Sequence, residues 1–306
     1  MPKRHAYKRS YTMDASFSKT LIQIAEYGNI TKAAEKMGYT QSGLSHTINR
    51  VEDELGFKLF IRSKSGVELT KEGRMLLPIA KEIERSAEKL YETITSIQGI
   101  EKGCVTIGTF SSISMNLLPP VLRAFGHDYP GIQIDLKEGS ITEIREWILD
   151  HTVDIGFTSI QEDDEFEYRI LLEDPLLAVT PKEFDVDNEE CFDIKDFEKH
   201  PFIMAAMEKG YDCDTEHAVK QNELNLNIRL SSKDDIAILS MVENGLGLSI
   251  LPRLITINHC ERVRTMPIKP YCCRVLGFGV DSFANVSPAA HKFIEYTEKI
   301  IRNKKY

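Results

Sequence analysis

The sequence predicts three parts in series: a mainly helical N-terminal winged helix-turn-helix, a long linker helix, and a two-lobed α/β domain. Three observations carry this. Two short amphipathic segments on either side of Gly38 are separated by only Tyr39 and Thr40, an unbroken apolar repeat runs from Leu76 to Ile97, and strand-like and helix-like segments alternate from residue 104 onward. The expected boundaries are 1–74, 75–103 for linker and hinge, and 104–306, with one lobe from 104–178 and 268–306 and the other from 179–267.

Composition sets the class. A chain of 306 residues with 42% hydrophobic and 28% charged residues can bury two or three cores and reads as soluble and globular. No apolar run reaches the roughly 18 residues of a membrane span, and the basic MPKRHAYKRS has no apolar segment behind it, so no secretory signal is read and the cytoplasm is the expected location. Residues 1–74 carry 13 Lys and Arg against 8 Asp and Glu, whereas the rest carries 25 against 39. A polyanionic partner is therefore expected only at the N-terminal part. The six cysteines, Cys104, Cys191, Cys213, Cys260, Cys272 and Cys273, lack a CxxC pair or a disulfide-framework spacing. Cys272 and Cys273 are expected on opposite faces of one strand, which argues against a shared metal ion.

The first helix is read from about Ser16 to Tyr27, with Phe17, Leu21, Ile24 and Ala25 on one face and Gly28 as its stop. Asn29 caps the second helix, ITKAAEKMG, which Gly38 closes, and Thr40 caps the third, QSGLSHTINRVEDELG. In the third helix Leu44, Ile48, Val51 and Leu55 recur at helical spacing, while small polar residues crowd its start. Two helices joined by so short a turn form a helix-turn-helix, in which the second helix enters the DNA major groove by its N-terminal end. Gln41 is then suited to an adenine edge, and Ser42, Gly43 and Ser45 allow close approach. His46, Asn49 and Arg50 are left for the backbone, and Thr31 on the preceding helix joins the same face. Two strands, about Phe60 to Arg62 and Glu68 to Thr70 around Ser63 to Gly66, form a wing whose Arg62 and Lys64 add phosphate or minor-groove contacts. Lys3, Arg4, Lys8 and Arg9 are read either as a minor-groove arm or as a tail, with Met13 as an alternative start.

In AEYGNITKAAEKM, TQSGLSHTINRVEDELGFKLFIR and LTKEG, in this order, the chain resembles the DNA-binding domain of LysR-type transcriptional regulators. The family usually has Ser where Asn29 stands, Pro or Ala near Ser42 and Gly43, and Arg where His46 stands. Arg50 is thus the expected backbone contact. LLPPVLRAFGHDYP, VDIGF and ENGLGLSILP continue the resemblance through the remainder of the chain.

From Met75 to about Gln98 the segment has no Gly and one Pro, Pro78, near its start. Leu76, Ala80, Ile83, Ala87, Leu90, Ile94 and Ile97 keep a repeat of 3.5 residues, the spacing of a coiled-coil seam. The alternative is a helix packed on its own domain. The resemblance implies a homodimer through this helix, and a tetramer of two such dimers.

CVTIGTF, IQIDLKEG and VDIGFTS read as strands, with SISMNLLPPVLRAFGHDYP and TEIREWILDH as the helices between them, which implies a parallel sheet. A second set begins near LLAVTP and continues through HPFIMAAM, NIRLSS and the helix and strand of KDDIAILSMVENGLGLSILPRL; RVLGFGVDSF and PAAHKFIEYTEKIIR close the chain. Two such lobes enclose a cleft, as in a periplasmic binding protein, and ligands belong at the C-terminal strand ends. Ser111 and Ser112 after the first strand, and Ser140 and Thr142 after the second, begin helices whose N–H groups favour an anion, or else are caps alone. Met204 and Ala205 follow the strand of PFIM, and the resemblance also implies ligand contacts there. Asp154, where a strand enters the sheet, is read as structural. The acidic runs 162–167 and 185–190 read as solvated loops without EF-hand spacing.

No phosphate loop, GxSxG elbow, HExxH or zinc-type Cys/His spacing occurs, so an enzyme is not expected and no cofactor is assigned. The reading is a ligand-responsive transcription factor on double-stranded promoter DNA, with a small-molecule effector, RNA polymerase as a candidate partner, and no membrane. A stand-alone solute-binding protein and a thiol-based redox sensor are its alternatives.

Overall fold

The computed structural model describes residues 15–63, 66–97, 102–161, 164–186, 190–205 and 214–303. Lys64, Cys213, Met13 and the basic residues Lys3, Arg4, Lys8 and Arg9 lie outside these. The chain forms two compact units that divide near residue 100.

In the first unit, α1 (Ala15–Tyr27), α2 (Ile30–Met37) and α3 (Gln41–Leu55) surround a core of Phe17, Leu21, Ile24, Ala33, Leu44 and Ile48. Capping chemistry sets their ends. Asn29 Oδ1 accepts the Thr31 and Lys32 N–H groups at 2.8 and 3.1 Å, and Thr40 Oγ1 accepts that of Gly43 at 3.1 Å. Gly38 ends α2 at a φ of +74°, a left-handed conformation that a side chain would strain. The wing pairs β1 (Phe60–Ser63) with β2 (Gly66–Leu69) antiparallel; Ser63 lies opposite Gly66, so only residues 64 and 65 separate the strands, fewer than the Ser63–Gly66 loop read from the sequence. Thr70 is not in the strand. It starts the next helix, its Oγ1 donating to the Lys58 carbonyl at 2.8 Å and accepting the Gly73 N–H at 3.0 Å.

Glu52, a position without a role in the sequence reading, is buried at 4% exposure on α3. Its Oε1 accepts the N–H groups of Leu59 (2.8 Å) and Phe60 (3.2 Å), and Lys58 pairs with Oε2 at 2.7 Å. This carboxylate ties the wing to α3. Glu52→Ala is expected to cost about 2 kcal/mol by stranding two buried donors. Amide exchange at Leu59 and Phe60 checks it: protection should fall about thirtyfold, and unchanged protection would remove Glu52 from that role.

α4 (Lys71–Ile97) starts four residues before the expected Met75, which puts Pro78 inside the helix, where it withholds one N–H. The expected seam also needs correcting. Leu76 and Ala80 pack into the N-terminal core because the first turns of α4 lie against α1. The exposed large apolar side chains are Met75, Ile79, Ile83, Leu90, Tyr91, Ile94 and Ile97.

In the second unit β3 (Gly103–Thr109) lies between β4 (Ile132–Glu138) and β5 (Ile155–Ser159), all parallel. These are the three strands expected in a parallel sheet; β12 (Cys273–Val280), whose direction the sequence left open, runs antiparallel between β5 and β6 (Glu167–Pro181). The helix read after β3 is two, α5 (Ser111–Asn116) and α6 (Leu118–Asp128), because two successive prolines, Pro119 and Pro120, favour the first turn of a helix and disfavour its interior. With α7 (Ile141–Leu149) and α11 (Pro288–Asn303) these cover the first lobe, whose core includes Val105, Ile107, Phe125, Phe157, Phe278 and Phe293. Asp154 joins β5 to β3: its Oδ2 accepts the Thr106 N–H at 2.8 Å.

β6 continues into the second lobe, where it pairs antiparallel with β10 (Ser249–Pro252) and β11 (Val263–Lys269); the short β7 (Phe192–Asp193) adds to β11. β8 (Pro201–Ala205) and β9 (Asn227–Ser232) form a separate parallel pair, packed with α8 (Asp214–Gln221) and α9 (Asp235–Glu243), while the short α10 (Arg253–Thr256) lies against β6 and β10. Phe197, Phe202, Ile203, Leu239 and Ile250 are fully buried there. Cys272 precedes β12 and only Cys273 is in the strand, which corrects the opposite-face expectation. Burial pushes both thiols above the ordinary range, which disfavours reactive thiolates.

Candidate functional site

The N-terminal unit offers one polar face. Leu44, Ile48 and Val51 bury one side of α3, and Gln41, Ser42, His46, Asn49 and Arg50 are exposed on the other, with Ser45 half-buried. Thr31 and Arg62 are also exposed. Gln41 Nε2 donates to Ser45 Oγ at 3.0 Å, and Arg62 Nη2 donates to Asn49 Oδ1 at 3.3 Å, so the wing cation is held against the helix. Asp53 and Glu54 follow beside Arg50, and their carboxylates set a negative border to the polar face beyond it. Gly43 has a local reason for its size: a Cβ would stand 3.0 Å from the capping Thr40 Oγ1.

The second unit holds a cavity of about 410 Å³ between its lobes. Of the residues expected in a cleft, Ser111, Ser112, Ser140 and Ala205 line it, and Thr142 and Met204 do not. Strand alternation explains Met204, which points into the second-lobe core at 8% exposure and leaves Ala205 to the cavity. Thr142 is half-buried on α7, between the lining residues Ile141 and Glu143.

Two of the three serines, Ser112 and Ser140, are engaged. Ser112 Oγ accepts from Arg274 Nη2 at 2.9 Å. Ser140 N–H and Oγ each donate to Glu143 Oε2 at 2.8 Å, a capping box at the start of α7, and these bonds hold the Glu143 carboxyl below its ordinary value. At six residues, α5 has a short dipole to offer.

The charges of the cavity went unread in the sequence. Arg274, 7% exposed, donates Nε and Nη2 to Asp174 Oδ2 at 2.9 and 2.7 Å, its Nη1 stands 3.8 Å from Asp214 Oδ2, and Phe110 lies under the guanidinium at 5.5 Å. Asp174 Oδ1 accepts the Leu254 N–H, and Asp214 Oδ1 accepts from Ser159 Oγ. Burial pushes the Asp174 carboxyl up and Arg274 offsets part of this. Asp235 and Lys233 complete the charged lining, and burial pushes the Asp235 carboxyl up as well. A signal did exist. Arg274 is in phase with the buried Leu276, Phe278 and Val280, as Asp174 is with Leu176 and Ala178, and a charge at an inward strand position requires a partner.

Among the described residues no group of three or more His, Cys, Asp or Glu is arranged to hold a metal ion, and no helix is long and apolar enough to cross a membrane. Comparison with known proteins is consistent along the chain. Residues 18–74 match the family model described as bacterial regulatory helix-turn-helix protein, lysR family, and residues 98–300 match that of the LysR substrate binding domain. The uncharacterized HTH-type transcriptional regulator YvbU of Bacillus subtilis is 30% identical over 92% of this chain and 97% of its own length. The transcriptional activator CmpR of Synechocystis is 28% identical over 74% of this chain and 75% of its own length. Among solved structures, a full-length OxyR variant from Pseudomonas aeruginosa gives a TM-score of 0.78 at 20% identity, covering 95% of both chains. Full-length CbnR complexed with its target DNA gives 0.55 at 20% identity, over 94% of this chain and all of that one.

Proposed function

Because this chain belongs to the LysR family of bacterial DNA-binding transcriptional regulators, and is not an enzyme, we propose that α3 reads promoter DNA while the interlobe cavity takes the small-molecule effector. The observation that carries the reading is the polar face of α3, exposed over a buried Leu44–Ile48–Val51 face on a domain that caps and closes as a helix-turn-helix. In this proposal Gln41 reads a base, Ser42 and Ser45 allow close approach, and Thr31, His46, Asn49, Arg50, Arg62 and Lys64 hold the backbone. Ser111, Ser112, Ser140 and Ala205 face the effector. The exposed stripe of α4 pairs with a second copy, so the operator has two half-sites, and two dimers join as a tetramer. Contact with RNA polymerase and a cytoplasmic location belong to the same reading.

Gln41→Ala is expected to weaken specific binding by about 1–3 kcal/mol and to leave non-specific binding unchanged. Fluorescence anisotropy with operator and scrambled duplexes at fixed salt measures both. Equal affinities of variant and parent on both duplexes would take Gln41 out of the readout. For the cavity, a metabolite that raises the melting midpoint of the full chain should lose its effect in Ser111→Trp, which fills the space.

A further inference from the structure

We propose that the interlobe cavity selects an effector bearing a positive charge, an ammonium or guanidinium group held by Asp214 and Asp235; this rests on the reading of the cavity as the effector site. The lining carries Arg274 and Lys233 against Asp214, Asp235 and Glu143, with Asp174 directly behind Arg274. A positive side chain in a ligand cavity suggests an anionic ligand, but Arg274 is already committed. Its Nε and Nη2 serve Asp174, Nη2 also serves Ser112, and Nη1 faces Asp214. An incoming carboxylate would compete with a buried partner at 2.7 Å and stand among three further carboxylates.

The negative groups are less committed. Glu143 is bound up in the Ser140 cap. Asp235, by contrast, makes no side-chain hydrogen bond or ion pair among the described residues, although it is half-buried at the start of α9. Burial outweighs the pull of Arg274 on it, and Asp234 and Asp214 add to its cost of ionisation. Asp214 gives Oδ1 to Ser159 and keeps Oδ2 on the side of Arg274, 3.8 Å away. The two begin α8 and α9, and both line the cavity. A ligand cation between them supplies the charge that the protein withholds from Asp235.

The test is a thermal-shift series on the full-length protein at matched ionic strength, with putrescine, cadaverine and agmatine against the chain-length-matched carboxylates succinate and glutarate. At least one amine should raise the melting midpoint by several degrees, the carboxylates should not, and titration should show about a tenfold or greater loss of amine affinity in Asp235→Asn. Asp214→Asn, checked with it for native circular dichroism, should lose affinity too. No shift from any of the amines overturns the charge assignment. So does an amine shift that survives in both Asp variants. A carboxylate shift abolished by Ser111→Trp also overturns it while keeping the cavity as the effector site, whereas a shift from either class that Ser111→Trp leaves intact removes the cavity reading itself.

Discussion

Arg274→Met is expected to destabilise the effector-binding unit by about 3–5 kcal/mol, because it leaves Asp174 buried without its cation. For a unit of this size that lowers the melting midpoint by roughly 10 °C. The loss should depend on pH in a defined direction. Asp174 already has its carboxyl raised above the ordinary 3.8 by burial, and removing Arg274 raises it further. A carboxyl raised in the folded state costs stability as pH climbs from its unfolded value through its folded one, so the deficit should be small near pH 3.8 and full at neutral pH. The double variant Arg274→Met, Asp174→Leu separates the pair from its parts. Replacing a buried ion pair by apolar residues is often close to neutral, so most of the midpoint should return; a deficit as large as that of Arg274→Met would show that packing around the guanidinium, not charge, was lost.

Leu90→Asp is expected to take the linker dimer apart. Leu90 is 61% exposed in a single chain, and its neighbours on the stripe, Ile94 and Ile97, are 44% and 82% exposed. By two-fold symmetry one substitution removes two buried leucines, each contributing about 1.5–3 kcal/mol, and sets two carboxylates into an apolar seam. The dimer dissociation constant should rise by at least about a hundredfold, which sedimentation velocity over a dilution series resolves. Leu76 provides the contrast. It packs on the N-terminal core, so Leu76→Asp should lower the melting of that unit instead. Unchanged sedimentation of Leu90→Asp would place the dimer contact elsewhere.

The N-terminal unit was legible because its signals are local. Asn29, Gly38 and Thr40 stop and start helices through bonds to residues two to four positions away, and such chemistry is visible in a short window. The apolar stripe of α4 was legible as a period but not in its division between core and surface. Leu76 and Met75 are adjacent in sequence, and only the position of α1 decides that one is covered and the other open. The cavity was the least legible. Its small residues follow strand ends, as expected, but its governing pair, Arg274 and Asp174, lies 100 residues apart and meets only through the register of β12 on β6. The same separation hid the length of β6, whose first half sets the short run Ile170, Leu171 and Leu172 between charged residues.

That strand has a mechanical meaning. Residues 167–175 of β6 pair with β12 in one lobe, through one register shift at Leu171, and residues 176–181 with β10 and β11 in the other, so the lobes share one continuous strand, with Asp174 just before the crossing. A swinging jaw needs a slack joint, and this joint is stiff. An effector cation held by Asp214 and Asp235, beside the Arg274–Asp174 pair, would load the strand as a leaf spring is loaded, by a small torsion spread over many hydrogen bonds. The signal leaving this unit would then be a change of twist, and not an open or shut mouth.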